Sequence, residues 1–294
     1  MIAHVASSDE KRGRVLLAVG TTYRADAIDA SVRLAHAYTS SVEILFVEDP
    51  HAFACGRLDF LTATSVGGGA LKRLDDRSVA MAYSGLRQGC LAKAIAIAQA
   101  RDVPVRHRIA RDTMHDAVAG ACAADGPWNV VAVSDALSRE SFAEIEAMLA
   151  TSKELTGVLV SGSKAGHHAE TVIAVVDRSA YLTSVLRTAN PIAEANGWRV
   201  TLMIAGESEA ATVELEDAVR LAFGADRDDA EHIRIASPGR LFGSPPAILN
   251  AIASLSPAFT VTRHGSPLAC DAESYSDLGR YLVGPLLIGR GNSV

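Results

Sequence analysis

Two runs of apolar residues, one near the start of each half of the chain, lack the polar alternation of a half-exposed strand. Residues 14–19 read RVLLAV and residues 171–176 read TVIAVV. A strand buried on both faces has this continuous pattern, so both runs predict interior strands of a parallel sheet. After a short polar turn, apolar residues recur at helical spacing in residues 25–38 and 181–196, which predicts an amphipathic helix behind each strand.

Strands and helices continue to alternate in both halves, in the same order. Gly197 follows the second-half helix at the position where a left-handed C-cap is expected. Each half is therefore predicted to hold five strands and four helices, which gives two tandem doubly wound five-stranded parallel-sheet domains of the α/β class. The remaining predicted strands are residues 42–47, 103–109, 128–133, 157–160, 199–204, 232–235, 258–262 and 285–288, and the remaining predicted helices are residues 77–100, 114–123, 140–150, 209–223, 245–253 and 275–282.

A polar, Gly- and Ser-rich segment at residues 161–168 separates the two halves and has the composition of a linker. We therefore predict an N-terminal domain at residues 1–163 and a C-terminal domain at residues 164–294. The first half also carries an insertion at about residues 49–76, between its second strand and its second helix. Three consecutive glycines at residues 67–69 indicate a loop within this insertion.

Composition and charge argue against several classes of function. The formal net charge is −6 and the isoelectric point is about 5.8, which disfavours a nucleic-acid partner because proteins that bind nucleic acids carry basic patches. No apolar run approaches the roughly 20 residues of a membrane-spanning helix, and the first residues lack the apolar core of a secretory signal. The four cysteines have no zinc-finger spacing. These features predict a cytoplasmic protein without membrane insertion.

Residues 175–179 read VVDRS, which is similar to the V-D-x-S segment at the end of the first strand in the universal stress protein family. Together with the element order, this resemblance covers nearly the whole chain, twice over. It implies two five-stranded sheets with strand order 3-2-1-4-5, which we expect to be separate from each other. It also implies that the last strand of each half lies at a sheet edge, where the halves can pair within the chain and whole chains can form a homodimer. The first half departs from the family, since AVGTT at residues 18–22 contains no aspartate.

The glycine pattern that wraps ATP phosphates in nucleotide-binding members of this family is missing from both halves. In the family it lies between the fourth strand and the fourth helix, where glycines let backbone amides approach phosphate oxygens. The matching segments are residues 134–140 and 263–269, and neither has the pattern. The resemblance therefore implies a degenerate nucleotide-binding site without ATP, with weak binding of an adenine nucleotide as the alternative. P-loop, Rossmann and nucleophile-elbow motifs are also absent from the sequence.

Six residues of the second half form the candidate ligand site. Asp177 and Ser179 follow the first strand, at the edge where ligands bind open α/β sheets, although capping of the next helix is the role we favour for them. The loop at residues 237–244 suggests either an anion site at a helix start or an ordinary turn with Ser244 as N-cap, and we favour the turn. The candidate cofactor-binding residues are Asp177, Ser179, Gly239, Gly243, Arg263 and Gly265.

These observations favour a non-catalytic regulatory or scaffold protein of the stress response, which acts through dimerisation and partner binding and not through ATP. One alternative is a sensor of adenosine or AMP that uses the second half, and another is an adenylating-type enzyme, although the Ser- and Gly-rich phosphate loop of such enzymes is lacking. His167 and His168 lie in the linker, which offers no rigid support for a metal, so no metal site is predicted. No catalytic residue is assigned, and the sequence does not name the partner protein.

Overall fold

A computed structural model describes most of the chain. The described residues are 13–58, 60–63, 72–124, 129–133, 147, 149, 155–161, 169–206, 208–223, 233–236, 244–269, 278 and 281–290. The boundary at residues 163 and 164, the glycines at residues 67–69 and most of the helices predicted at residues 140–150 and 275–282 lie outside them.

The described strands and helices follow the predicted order in both halves, except that the insertion at residues 49–76 adds one short helix and two short strands that were not predicted. The strands are β1 (Arg14–Val19), β2 (Ser41–Val47), β3 (Thr62–Ala63), β4 (Lys72–Arg73), β5 (Val105–Ala110), β6 (Asn129–Val133), β7 (Leu155–Val160), β8 (Ala169–Val176), β9 (Arg199–Ile204), β10 (Ile233–Ala236), β11 (Pro257–Arg263) and β12 (Leu286–Gly289). The helices are α1 (Ala25–Ala37), α2 (Pro50–Gly56), α3 (Asp76–Gln99), α4 (Met114–Ala124), α5 (Leu182–Asn196), α6 (Glu209–Phe223) and α7 (Pro245–Leu255), and a 3₁₀ turn at Ser179–Tyr181 precedes α5.

Local sequence explains where several helices begin and end. Asp49 and Asp75 cap α2 and α3, because their carboxylates accept hydrogen bonds from the amides of His51 and Ser78 at 2.8 and 2.7 Å. Gly197 ends α5 in the left-handed conformation, with φ of +66°, as its position in the sequence predicts.

The five main strands of each half are parallel and have the predicted order. The first half is ordered β5-β2-β1-β6-β7 and the second half β10-β9-β8-β11-β12, which is 3-2-1-4-5 in both. The doubly wound α/β class is therefore confirmed. Strands β3 and β4 form a separate small hairpin within the insertion.

The two halves share one continuous sheet of ten strands, so the prediction of two separate sheets is wrong. Strands β7 and β12 pair antiparallel, with Val158 opposite Ile288 and Val160 opposite Leu286. The pairing within one chain that the resemblance implied is confirmed. Its physical reason is that each last strand would otherwise present a row of unpaired backbone groups at a sheet edge.

Helices cover both faces of this sheet. On one face, α1, α3, α5 and α6 bury a core that runs through both halves, and on the other face α4 and α7 bury a second core. Helices α1 and α5 also contact each other at the join between the halves, where the Tyr38 hydroxyl donates to the carbonyl oxygen of Thr188 at 2.8 Å. The halves are thus connected both through the sheet and through the helix layer.

A buried ion pair between Arg14 and Glu43 lies beneath α4, toward the amino ends of the first-half strands. Arg14 Nη1 donates to Glu43 Oε2, Arg14 Nε donates to Asn129 Oδ1 at 2.8 Å, and Arg14 Nη2 donates to the carbonyl oxygen of Ala121. Arg108 reaches the second Glu43 oxygen, with Nε 2.9 Å from Oε1. Ligands of open α/β sheets bind at the opposite, carboxyl edge, so we assign this network a structural role.

Two glycines face each other where the halves join, and only one of them is tightly surrounded. A Cβ atom at Gly157 would lie 2.9 Å from the carbonyl oxygen of Ile288, whereas a Cβ atom at Gly289 would meet the carbonyl oxygen of Thr262 at an ordinary 3.7 Å. We expect Gly157→Ala to lower the free energy of unfolding, measured by urea denaturation, by about 1–3 kcal/mol. The matched variant Gly289→Ala should stay within about 0.5 kcal/mol of the parent chain. Equal losses in the two variants would contradict this description of the join.

Candidate functional site

The candidate site lies at the carboxyl edge of the second-half sheet, between strands β8 and β11. These strands are neighbours, but the chain leaves them toward opposite faces of the sheet. Leu182, at the start of α5, joins one core, and Leu268, which follows β11, joins the other. Such a switch point leaves a crevice outside the strand ends, which is the usual ligand position in an open α/β sheet.

Asp177 and Arg263 occupy this crevice as a bidentate ion pair. Asp177 directly follows β8, and Arg263 is the last residue of β11. The Arg263 Nε donates to Asp177 Oδ1 at 2.9 Å, and Nη2 donates to Oδ2. The side chain of Arg263 is only 9% exposed and that of Asp177 only 1%. The carboxylate that the sequence offers to a ligand is therefore already neutralised by a side chain of the same protein.

Tyr181 and the backbone of residue 264 complete the surroundings of the Arg263 guanidinium. Its central carbon lies 4.0 Å from the centroid of the Tyr181 ring, within the range of a cation–π contact. Its Nη1 donates to the carbonyl oxygen of His264 at 3.1 Å. Gly265, with φ of +75°, places its backbone so closely that a Cβ atom would lie 3.3 Å from Nη1.

Four backbone amides of the loop after β11 donate hydrogen bonds within the protein. The amide of His264 donates to the carbonyl oxygen of Gly289 at 2.8 Å, and that of Gly265 donates to Ala269 at 2.9 Å. The amide of Ser266 donates to the carbonyl oxygen of Arg263 at 3.2 Å, and that of Ala269 donates to Ser266 at 2.8 Å. The resemblance implies that this loop corresponds to the segment that wraps phosphates in nucleotide-binding members of the family. Here the four amides donate to carbonyl oxygens of the chain itself.

The structure brings together some of the residues that the sequence singled out. Asp177, Arg263 and Gly265 meet at the crevice, whereas Ser179 is exposed at the start of the 3₁₀ turn. Gly239 and Gly243 lie outside the described residues.

The capping role favoured for Asp177 and Ser179 is wrong. The N-cap positions of the 3₁₀ turn and of α5 are Arg178 and Tyr181, and neither helix start has a side-chain cap hydrogen bond. The physical reason is that both Asp177 oxygens face Arg263. Ser244 does stand at the N-cap position of α7, as predicted, although its side chain makes no cap hydrogen bond.

Sequence reasoning missed a second carboxylate–arginine cluster in the first half. Glu48 directly follows β2 and is buried, with Oε1 2.9 Å from Arg87 Nη1 and Oε2 3.0 Å from Arg111 Nη2. The Arg111 guanidinium lies 4.2 Å from the centroid of the Phe53 ring, and this ring stacks on Tyr83. A carboxylate directly after an apolar strand was the signal available in the sequence.

In the part of the chain that the structure describes, no cluster of His, Cys, Asp and Glu could hold a metal ion. Burial raises the pKa of the Cys90 thiol to about 11, which disfavours the thiolate that a nucleophile requires. Within the same residues no helix is both long and apolar enough to cross a membrane.

Comparison with known proteins gives relatives only at the level of structure. No protein-family model matches the chain, and no curated protein matches it. A universal stress protein from Archaeoglobus fulgidus is similar over 94% of this chain and 96% of its own, with 14% identity and a TM-score of 0.57. A putative universal stress protein from Pseudomonas aeruginosa is similar over 96% and 94%, with 13% identity and a TM-score of 0.58. The chain therefore has the fold of the universal stress proteins, in agreement with the resemblance seen in its sequence.

Proposed function

We propose that this chain, with its universal stress protein fold, is a non-catalytic regulatory or scaffold protein of the stress response. It acts through partner binding and not through ATP. The observation that supports this proposal is the buried pair of Asp177 and Arg263, which fills the crevice where this class of sheet usually binds a ligand.

The site is poorly suited to a triphosphate. A bound nucleotide would have to displace Arg263, and breaking a buried pair by removing one partner costs about 3–5 kcal/mol because a charge is left uncompensated. The phosphates would then need donors, since an unpaired charge taken out of water is expensive. Four of the loop amides that could serve are engaged with other backbone groups. In the first half, Gly20 follows β1 and offers no carboxylate.

We propose further that the protein is cytoplasmic and forms a homodimer. Strands β7 and β12 already satisfy each other within one chain, so two chains would associate through other surfaces. A sensor of adenosine or AMP is the second candidate function. It is favoured by the Tyr181 ring at the crevice, on which a purine could stack if Arg263 moved aside.

We expect calorimetric titration of the full chain with ATP to give a dissociation constant of about a millimolar or weaker, equivalent to no more than roughly 4 kcal/mol. Relative to a site that keeps the glycine pattern, AMP and adenosine should lose less affinity than ATP, because fewer of their phosphate contacts are missing. A micromolar isotherm for ATP would overturn the proposal.

A matched variant then tells where any bound nucleotide lies. If a micromolar isotherm disappears in Asp177→Asn, which keeps the shape of the side chain, the nucleotide occupies the crevice of the second half. If the isotherm persists, the nucleotide lies elsewhere on the chain. Binding of AMP alone at micromolar concentration would favour the sensor.

A further inference from the structure

We infer that Asp177, Tyr181 and the His264 carbonyl form a binding site for a guanidinium group, and that the chain fills this site with its own Arg263. Each property of the guanidinium has a partner here. The carboxylate accepts two hydrogen bonds, the guanidinium carbon lies over the aromatic ring, and the carbonyl accepts from the remaining nitrogen. This combination matches a planar cation and leaves little of it in contact with water.

Two other arginines stacked on rings show how the Arg263 site differs. Arg111 lies over Phe53, but only its Nη2 reaches Glu48, and its side chain is 61% exposed. Arg33 lies over Trp198 at 5.1 Å, and its Nε contacts Asp29 one helical turn away. The Arg33 side chain is 29% exposed, whereas that of Arg263 is 9% exposed and has a partner for each of its three nitrogens.

Packing and backbone hydrogen bonds that do not involve the Arg263 side chain hold the segments around the site in place. Asp177 and Tyr181 belong to the turn between β8 and α5, and Leu182 anchors this turn in the core. The carbonyl of His264 belongs to the loop whose amides pair with Gly289 and Ala269. Because these supports stay when the arginine side chain is shortened, the vacated space should keep its shape and its carboxylate.

The class of ligand follows from these walls. An anion would face the Asp177 carboxylate, and an ammonium ion lacks the plane and the second donor that a bidentate contact uses. Methylguanidinium, the end of an arginine side chain, has both. The inference is independent of whether wild-type protein binds ATP, so either could fail alone.

The test is chemical rescue of Arg263→Ala. Without added ligand, this variant should be less stable than wild type. Addition of about 10 mM methylguanidinium chloride should raise its melting temperature by about 3 °C if the dissociation constant is near a millimolar. Equal concentrations of methylammonium chloride should have no such effect. Wild type, in which the site is full, should not respond to either salt.

Three control variants separate a built site from a general salt effect. Arg263→Met fills the space with an apolar side chain, so it should not be rescued. The double variant Asp177→Asn, Arg263→Ala keeps the space but loses the carboxylate, so it should respond much less than Arg263→Ala. Arg111→Ala removes a stacked but exposed arginine, and we expect no rescue there.

The inference is overturned if Arg263→Ala responds no more strongly to methylguanidinium than to methylammonium, or if Arg263→Met responds equally. If Arg263→Ala does not fold alone, the refolding yield from urea with each salt replaces the melting temperature. A higher yield with methylguanidinium alone supports the site, and equal yields with both salts reject it.

Discussion

Alanine in place of Asp177 is expected to lower the free energy of unfolding by about 3–5 kcal/mol, because Arg263 would remain buried without its counter-charge. The loss should be visible in urea denaturation as a lower midpoint with an unchanged slope. Asp177→Asn should lose somewhat less, since its amide oxygen can still accept one hydrogen bond from the guanidinium.

The matched control replaces both members of the pair. In the double variant Asp177→Val, Arg263→Met no charge is buried, and swapping a buried pair for apolar side chains of similar volume is often close to neutral. We therefore expect the double variant to be more stable than Asp177→Ala. The single variants Asp177→Val and Arg263→Met complete the comparison. If the double variant lost as much free energy of unfolding as the two single variants together, the two side chains would be energetically independent, contrary to the contact between them.

Alanine in place of Glu43 is expected to lower the free energy of unfolding by a similar amount, about 3–5 kcal/mol, because Arg14 would be left buried without this carboxylate. Arg14 lies under α4 and is 9% exposed, so water could not easily replace the lost carboxylate. Urea denaturation is again the measurement.

Arg108 supplies the control for Glu43, because it contacts the same carboxylate from a side chain that is 40% exposed. Exposed ion pairs contribute about 0–1 kcal/mol, so Arg108→Ala should have a small effect. Comparable losses in Glu43→Ala and Arg108→Ala would mean that burial of Arg14 does not dominate the network.

Much of the fold could be predicted because its central strands are buried on both faces. Continuous apolar runs such as Val172–Val176 have few other interpretations once helical segments separate them. The single ten-stranded sheet could not be derived in this way. The sequences of β7 and β12 are apolar, and that apolar character does not tell whether a strand ends a sheet or pairs with another strand. Their antiparallel contact depends on how two distant segments meet, which local patterns do not encode.

At the candidate site the sequence contained more information than its residues show when they are taken one at a time. Strand order 3-2-1-4-5 makes the first and fourth strands neighbours, so Asp177 and Arg263 at their carboxyl ends could have been expected to pair. The contact with Tyr181 could not, because it depends on the direction of side chains within a 3₁₀ turn. Glu43 was a clearer signal, since a carboxylate inside an apolar strand requires a buried partner.

The join between β7 and β12 also affects how the sequence of this protein can diverge. In a dimer of identical chains, every substitution appears twice and must suit both symmetry-related positions. Here the two halves of the symmetric fold are encoded separately, so Asp177 can follow β8 while Gly20 follows β1. One half can therefore lose or gain a ligand site by mutation while the other half keeps its own residues and continues to support the shared sheet.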